Sequence, residues 1–277
     1  MNTIHSEVQD YYGTELQVSE DLKTNACCTL TKPPKHILEA LNLVADEVQA
    51  KYYGCGLTLP SAVHGLRILD LGSGSGRDCY IAAKLVGETG SVIGVDMTDE
   101  QLAVANNHIE YHREKFGYKE SNVEFIKGNI EELDALGFEN ESFDIIISNC
   151  VINLATDKQK VLNDAFALLK PGGEMYFSDV YSDRRVPKTL QDNRVLWGEC
   201  LSGALYWNDF LNTAKNAGFT DPRATDNKPV TVENEELEIL LGDIKFYSVT
   251  YRLMKIDGLE SDCEDYGQAV NYKGGIP

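Results

Sequence analysis

The sequence predicts an α/β fold: a doubly wound, mostly parallel sheet with an N-terminal cover and a helical insertion before the last strands. Three observations predict it. Short apolar runs alternate with helix-periodic segments from residue 66 to 180, the pattern of repeated strand–helix units. Within that region, Arg67–Leu71 runs into Gly72, Gly74 and Gly76 and then into a helix-like stretch from Tyr80 to Val86. This reads as buried strand, tight turn and helix. Finally, Phe246–Leu253 is a late strand placed to close the sheet in antiparallel fashion.

Taken in order, residues 1–65 form a cover segment rather than an independent domain. Val8–Gly13 reads as a short helix ending at glycine. Leu22–Cys28 reads as a polar loop carrying two adjacent thiols. Pro33 and Pro34 precede a helix expected from Lys35 to Ala50, with Ile37, Leu38, Leu41, Val44, Ala45 and Val48 at helical spacing. Tyr52–Gly56 is a loop in which glycines flank Cys55. The core, residues 66–180, begins with a strand over 66–71 and a helix over about 77–86. A strand over 91–96 and a helix from Asp99 to about Phe116 follow. Strands are expected at Val123–Ile126 and Phe143–Ser148, then a helix capped by Asp157 and stopped by Lys170–Gly173, then a strand from Glu174 to Val180. Residues 181–256 hold a helical insertion, Val186–Phe219, a short strand at 229–233 and the strand at Phe246–Leu253. Residues 257–277 read as an acidic, glycine-rich tail.

Bulk properties narrow the chemistry. A net charge of −19 disfavours nucleic acid and anionic membranes as partners. Met1–Asp10 has neither a basic lead nor an apolar core, so no signal peptide is expected, and no apolar run is long enough to span a bilayer. A cytoplasmic setting follows as the expectation. There the seven cysteines are more naturally reactive, ligating or simply buried than disulfide-bonded.

In a doubly wound sheet the ligand sits at the carboxyl ends of the strands. Asp70, Asp96, Asn129 and Cys150 each follow a strand end and should therefore share one rim. The loop after the first strand is Asp70-x-Gly72-x-Gly74-x-Gly76; Arg77 stands where a dinucleotide fingerprint needs its third glycine. This pattern resembles the first motif of class I S-adenosylmethionine-dependent methyltransferases, whose fold is Rossmann-like. The resemblance implies S-adenosylmethionine as cofactor. Asp70, Gly72, Ser73, Gly74 and Gly76 would shape the methionine and ribose pocket. Asp96 would hold ribose, Met97 would flank adenine, and Asn129, Ile130 and Glu131 would line the purine edge. Asn149 and Tyr53 would complete the site, the tyrosine closing over the sulfonium.

Cys55, Cys150 and Cys200 are distant in sequence, yet each lies in a loop or turn beside this rim. Taken singly, each reads as a small buried apolar residue. Structural zinc favours a local ligand pair two to four residues apart, and the adjacent Cys27 and Cys28 make a poor one. A cytosine-C5 methyltransferase carries proline before its cysteine, where this chain has Asn149. Taken together, Tyr53–Gly56, Asp70–Asp78, Ser148–Leu154, Trp197–Cys200 and Gly203–Trp207 resemble arsenite S-adenosylmethionine methyltransferases, over a span from about residue 8 to the end.

That resemblance implies three arsenic-binding thiols, Cys55, Cys150 and Cys200, and a redox cysteine at Cys27, beside Cys28. It implies arsenite and methylarsenite as substrates, detoxification as the role, a monomer, and thioredoxin or glutathione as reductant. Cys27 with Cys55 is the first disulfide pair it suggests. It also implies a further C-terminal region beyond Ile276, so that this chain reads as shortened. Trivalent arsenic is soft and prefers thiolate. Held pyramidally by three sulfurs, its lone pair can attack a sulfonium methyl without a general base. The alternatives are a methyltransferase for another small acceptor or metalloid, or a metalloid- or zinc-binding module on an inactive cofactor fold.

Overall fold

The computed structural model describes residues 3–16, 21, 24, 33–54, 58–232 and 234–260. Cys27, Cys28, Cys55 and Cys263 lie outside the described residues. The sheet strands are β1 (Arg67–Leu71), β2 (Ser91–Asp96), β3 (Val123–Lys127), β4 (Phe143–Asn149), β5 (Leu169–Ser182), β6 (Leu205–Tyr206), β7 (Arg223–Val230) and β8 (Phe246–Met254). Their order is β3-β2-β1-β4-β5-β8-β7, with β6 on the end of β5. The pairings from β3 to β5 are parallel, whereas β8 runs antiparallel to both β5 and β7. This is the doubly wound, mostly parallel sheet that the sequence predicts.

Strand periodicity sends alternate residues to opposite faces. Ile68, Val92, Ile145 and Ile147 pack on one side with Tyr80, Ile81 and Val86 of the helix Arg77–Val86 and with Val104 and Phe116. Leu69, Leu71, Val95, Ile146 and Phe177 pack on the other, against Val161, Leu162 and Phe210. Both faces are covered, which is why these strands read as continuous apolar runs. A third cluster gathers Cys150, Leu154, Val180, Leu196, Cys200, Leu201 and Phe246 with Val8. It lies where the insertion meets the end of β4.

Several boundaries differ from the expectation. The first long helix is two, Lys35–Leu41 and Asp46–Ala50. The helix from Asp99 is broken at His108, whose φ of −105° and ψ of 4° leave the helical region, into Asp99–Asn107 and Ile109–Phe116. The N-terminal helix spans Thr3–Asp10 and continues as one wide turn over Tyr11–Glu15. β5 begins at Leu169, earlier than Glu174, with an irregularity opposite Phe143 and Ile145. The short strand expected at 229–233 is β7, which runs from Arg223 to Val230. In the insertion, Lys188–Gln191, Arg194–Gly198 and Trp207–Asn216 are helical.

The loop after β1 is pinned to β2: Gly72 N–H and Ser73 N–H both donate to Val95 C=O, at 2.8 and 3.0 Å. Gly76 then turns the chain into the helix Arg77–Val86 with φ of 87°, and a Cβ there would lie 2.6 Å from the Phe125 ring. That ring is itself wedged against Tyr80. Gly76→Ala is therefore expected to cost about 2–4 kcal/mol, combining left-handed strain with overpacking. Gly117→Ala, where φ is 78° and nothing lies within 4 Å, is expected to cost only about 1–2 kcal/mol of strain. Urea denaturation of the two variants checks the difference; equal losses would show that the Phe125 contact does not matter.

Candidate active site

The strand order reverses between β1 and β4, and the two chains leave that point in opposite directions. A cleft opens there, at the carboxyl ends of the strands. It encloses about 930 Å³ of atom-free space, solvent at its mouth included. Asp70, Gly72, Ser73 and Gly74 line it from β1, Asp96 and Met97 from β2, Asn129, Ile130 and Glu131 after β3, and Asn149 and Cys150 after β4. Tyr53 closes it from the N-terminal side. These expected cofactor residues share one space. Gly76 departs from the expectation: it does not line the cleft, and its missing side chain makes room for Phe125.

The acids behave differently from one another. Asp96 Oδ2 accepts from Gly74 N–H and Oδ1 from Thr98 N–H, both at 2.8 Å, so it fixes the loop as well as facing the cleft. Asp70 is buried and accepts from the Cys79 thiol at 3.2 Å. Burial, then the negative charges of Asp78 and Asp96, push its carboxyl up to about 8, against the pull of that thiol bond. Glu131 is held otherwise. Its oxygens accept from His5 Nε2, from the Thr156 N–H and hydroxyl and from Asp157 N–H. Burial alone would raise it, but these bonds leave it below the usual range. Asn129 caps the turn Ile130–Leu136 through Oδ1 and turns its amide nitrogen to His5 Nδ1. Glu131 and Asn129 are thus tied to one another and to the N-terminal helix, and they border the cleft from fixed positions.

Residues that sequence reasoning passed over complete the wall. Asp78 accepts from Asn149 Nδ2 at 3.0 Å, and the same amide donates to Tyr52 Oη at 2.6 Å. The Arg77 guanidinium stacks 3.6 Å above the Tyr52 ring. Among the described residues, four buried side-chain atoms lining the cleft have no hydrogen-bond partner: Tyr53 Oη, Ser73 Oγ, Gln101 Oε1 and Asp78 Oδ1, the last lying 3.9 Å from Arg77 Nη1. Buried polar atoms without partners are costly, so they mark where a polar ligand belongs. Two hydroxyls and two acid or amide oxygens beside the carboxylates of Asp70 and Asp96 suit hydroxyls and positive charge. S-adenosylmethionine, with its ribose, ammonium and sulfonium, fits that donor set. Asp78 was within reach of the sequence, standing two residues after the glycine loop. Gln101 and Tyr52 carried no sequence signal.

The cysteine side adjoins this cleft. Cys150 follows β4 directly, its N–H donating to Ser178 C=O at 2.8 Å. Cys200 follows the helix Arg194–Gly198 and its cap Glu199, and its thiol donates to Cys150 C=O at 3.3 Å. The insertion therefore brings Cys200 onto the Cys150 turn across 50 residues of sequence. Both side chains are buried. Among the described residues, only Glu141, Cys150 and Cys200 are non-glycines with left-handed φ, at 53°, 56° and 61°. Cys200 is not disulfide-bonded, whereas Cys150 is, which departs from the expectation that the cysteines are not paired in disulfides. Cys27 and Cys55, the other two expected thiols, lie outside the described residues, so the three-sulfur cluster is represented by Cys150 and Cys200 alone. Among the described residues no group of three His, Cys, Asp or Glu side chains is arranged to hold a metal ion.

Two buried charges support the pair. Asp179 accepts from Asn153 N–H, Asn153 Nδ2 and Val180 N–H, locking the turn that follows Cys150. Burial lifts its carboxyl to about 6 despite those bonds. Lys158 donates to Ala155 C=O at 2.7 Å, and its ammonium lies 5.4 Å from the centre of the Trp197 ring. Burial lowers it to about 8, opposed by the negative charges of Asp179, Cys200 and Glu131.

The family description "methyltransferase domain" matches residues 62–218. The arsenite methyltransferase of Aquipseudomonas alcaligenes is 58% identical over 274 residues, spanning 99% of this chain and 79% of that protein. That of Homo sapiens is 51% identical over 276 residues, spanning 99% and 72%. Among solved structures, an arsenic(III) S-adenosylmethionine methyltransferase from Chlamydomonas reinhardtii superposes with a TM-score of 0.81 at 54% identity, covering 85% of this chain and 79% of that one. With an acid-lined cleft at the strand switch point and two buried cysteines brought to its edge, the chain belongs to the arsenite methyltransferase family of class I S-adenosylmethionine-dependent methyltransferases.

Proposed function

We propose that this protein methylates trivalent arsenic held by cysteine thiolates, using S-adenosylmethionine as donor. The observation that carries the reading is the meeting of Cys150 and Cys200 beside the cleft, with the Cys200 thiol on the Cys150 carbonyl. Cys55 is the third ligand by resemblance, and Cys27 the redox cysteine. When bound, S-adenosylmethionine supplies an electrophilic methyl on a positively charged sulfur.

The protein's own groups bind, align and exclude water. Asp70, Asp78 and Asp96 give the cleft an acidic lining, and a cationic ligand there favours loss of the proton that burial holds on Asp70. Gly72, Ser73 and Gly74 present backbone and a hydroxyl to it. The apolar cluster around Cys150 and Cys200 keeps bulk water from the sulfurs. Soft arsenic requires the thiolate form of its cysteine ligands. The nucleophile is a lone pair on arsenic, so no proton need be removed from it and no base is needed at that atom. Alignment of the two ligands is then the main catalytic resource, worth up to roughly 7–11 kcal/mol in well-oriented reactions.

Methyl transfer raises arsenic formally from the trivalent to the pentavalent state. Two cysteine thiols returning it to the trivalent state give up two electrons and two protons and become a disulfide. An external dithiol or glutathione would regenerate them by exchange. Methylarsenite as second substrate, a cytoplasmic setting, a monomeric state and a detoxifying role complete the proposal. Among the described residues no helix is long and apolar enough to cross a membrane.

Arsenite-dependent release of S-adenosylhomocysteine, with speciation of the arsenical product, tests the reading directly. Cys150→Ser and Cys200→Ser should each lower that release at least 100-fold while S-adenosylmethionine binding by calorimetry stays within about threefold; near-normal turnover in either variant refutes the assignment. Cys27→Ser should spare methylation of methylarsenite while losing that of arsenite, and equal loss on both contradicts its redox role.

Asp70 gives a second test. Its folded-state carboxyl is held at about 8, against about 3.9 in an unfolded chain. The folded state thus binds this proton more tightly. The resulting stability is complete below about pH 4 and is lost as pH rises through about 8. Asp70→Asn should therefore raise the melting temperature of the ligand-free protein relative to the parent, by a margin that widens from pH 5 to pH 8.5. The same substitution should weaken S-adenosylmethionine binding at least tenfold. Scanning calorimetry and titration calorimetry check the two signs, and a variant that is uniformly destabilised at all pH values contradicts the argument.

A further inference from the structure

The N-terminal segment touches both halves of the site. On the cofactor side, His5 Nε2 bonds Glu131 at 2.8 Å, Gln9 Nε2 donates to Met97 C=O at 2.7 Å, and Gln101 Nε2 donates to Tyr12 C=O at 3.0 Å. On the cysteine side, Tyr12 Oη donates to Gly198 C=O at 2.7 Å and Tyr11 Oη to Glu199 Oε1 at 2.8 Å. Thr24 Oγ1 donates to Glu199 Oε2 at 2.9 Å. Tyr12 thus joins the two sides within one residue, its carbonyl held by Gln101 and its hydroxyl by the backbone beside Glu199.

Glu199 is the pivot of this arrangement. It precedes Cys200 directly and is only 2% exposed. Two of its donors come from 188 and 175 residues away in the chain. A buried carboxylate left without donors carries a large desolvation cost, so the Glu199 position and the seating of the N-terminal segment depend on each other. Packing enforces the same contact, since a Cβ on Gly198 would come within 2.6 Å of the Tyr11 ring.

We propose that Glu199 is a positioning residue that couples the two half-sites, so that filling the cofactor cleft tightens metalloid binding at Cys200 and the converse. Both ligands favour the same seated N-terminal segment, one through Met97 and Gln101, the other through the Glu199–Cys200 elbow. The coupling factor is identical in the two directions. This rests on the functional reading above, with S-adenosylmethionine and arsenite as the ligands.

The test uses the full chain, reduced, carrying Trp207→Phe, which leaves Trp197 as the only indole of the two present. Trp197 C=O accepts from Cys200 N–H at 2.9 Å, so its fluorescence reports on that elbow. Arsenite is titrated with and without S-adenosylhomocysteine, and S-adenosylhomocysteine with and without arsenite. In this parent each ligand should tighten the other at least fivefold. Glu199→Gln should reduce that factor below twofold while affinity for S-adenosylhomocysteine alone stays within threefold, a pattern that general destabilisation does not produce. Tyr11→Phe, which leaves Glu199 and Cys200 unaltered, should lower the factor as well, and adding it to Glu199→Gln should do nothing more. It carries the test if Glu199→Gln fails to fold. A coupling factor near one in the parent, or one retained in either variant, overturns the proposal while arsenite binding itself upholds the functional reading. Absence of arsenite binding in the parent overturns both.

Discussion

The parallel pairing of β1 with β4 is the constraint on which the rest depends. Leu71 stands opposite Ser148 in that register, so the two strands end side by side and their chains diverge from a common point. The glycine loop leaves on one lip and the Cys150 turn on the other. They touch: Gly72 has φ of 75°, and a Cβ on it would lie 2.4 Å from the methyls of Val151. A methyltransferase must bring donor and acceptor within bonding reach. Here the two loops that would carry them are neighbours because two adjacent strands are, and because one side chain is missing between them.

The halves of the site differ in kind, and the difference sorts the ligands. The cofactor half is polar and acidic, with Asp70, Asp78 and Asp96 around a cleft where hydroxyl and amide oxygens await partners. The cysteine half is an apolar cluster in which Cys150 and Cys200 are surrounded by Leu154, Val180, Leu196 and Leu201. A cation gains from the first and loses hydration in the second. On the proposed reading, a neutral arsenic(III) hydroxide or thiol adduct would enter the second with little desolvation cost. Lys158 is the exception that completes the logic. Its charge sits against Trp197 and the Ala155 carbonyl rather than among the acids of the cofactor cleft.

The fold and much of the cofactor rim were legible in the sequence because they depend on local pattern. Strands covered on both faces are unbroken apolar runs, and an acid at a strand end points to the rim whatever packs around it. What escaped depends on distant partners. Nothing near Glu131 announces that its carboxylate will be taken by His5, 126 residues away, and by Thr156. The same holds for Glu199 and Tyr11. The break at His108 lacks a glycine or proline; its ring bonds Val104 C=O and faces Glu47, a tertiary arrangement that overrides helical propensity. β7 was misplaced because its residues are mostly exposed and polar, an edge strand without alternation, held by its ladder to β8.

The backbone at Cys150 and Cys200 argues for the thiols themselves. At φ of 56° and 61° a side chain with a Cβ costs roughly 1–3 kcal/mol that glycine would avoid. Both positions are buried, so neither gains by solvation, and a thiol is a weak hydrogen-bond donor, so the bond from Cys200 to Cys150 C=O offsets little of that cost. A fold free to choose would place glycine at each elbow, as it does at Gly72 and Gly76. What the left-handed turn does provide is direction. It lets each chain fold back sharply after its element, one after β4 and the other after the helix Arg194–Gly198, so that the two elbows abut. The strain is therefore the cost of bringing sulfur from two remote segments to one place, and it is accounted for only if the sulfur is used there.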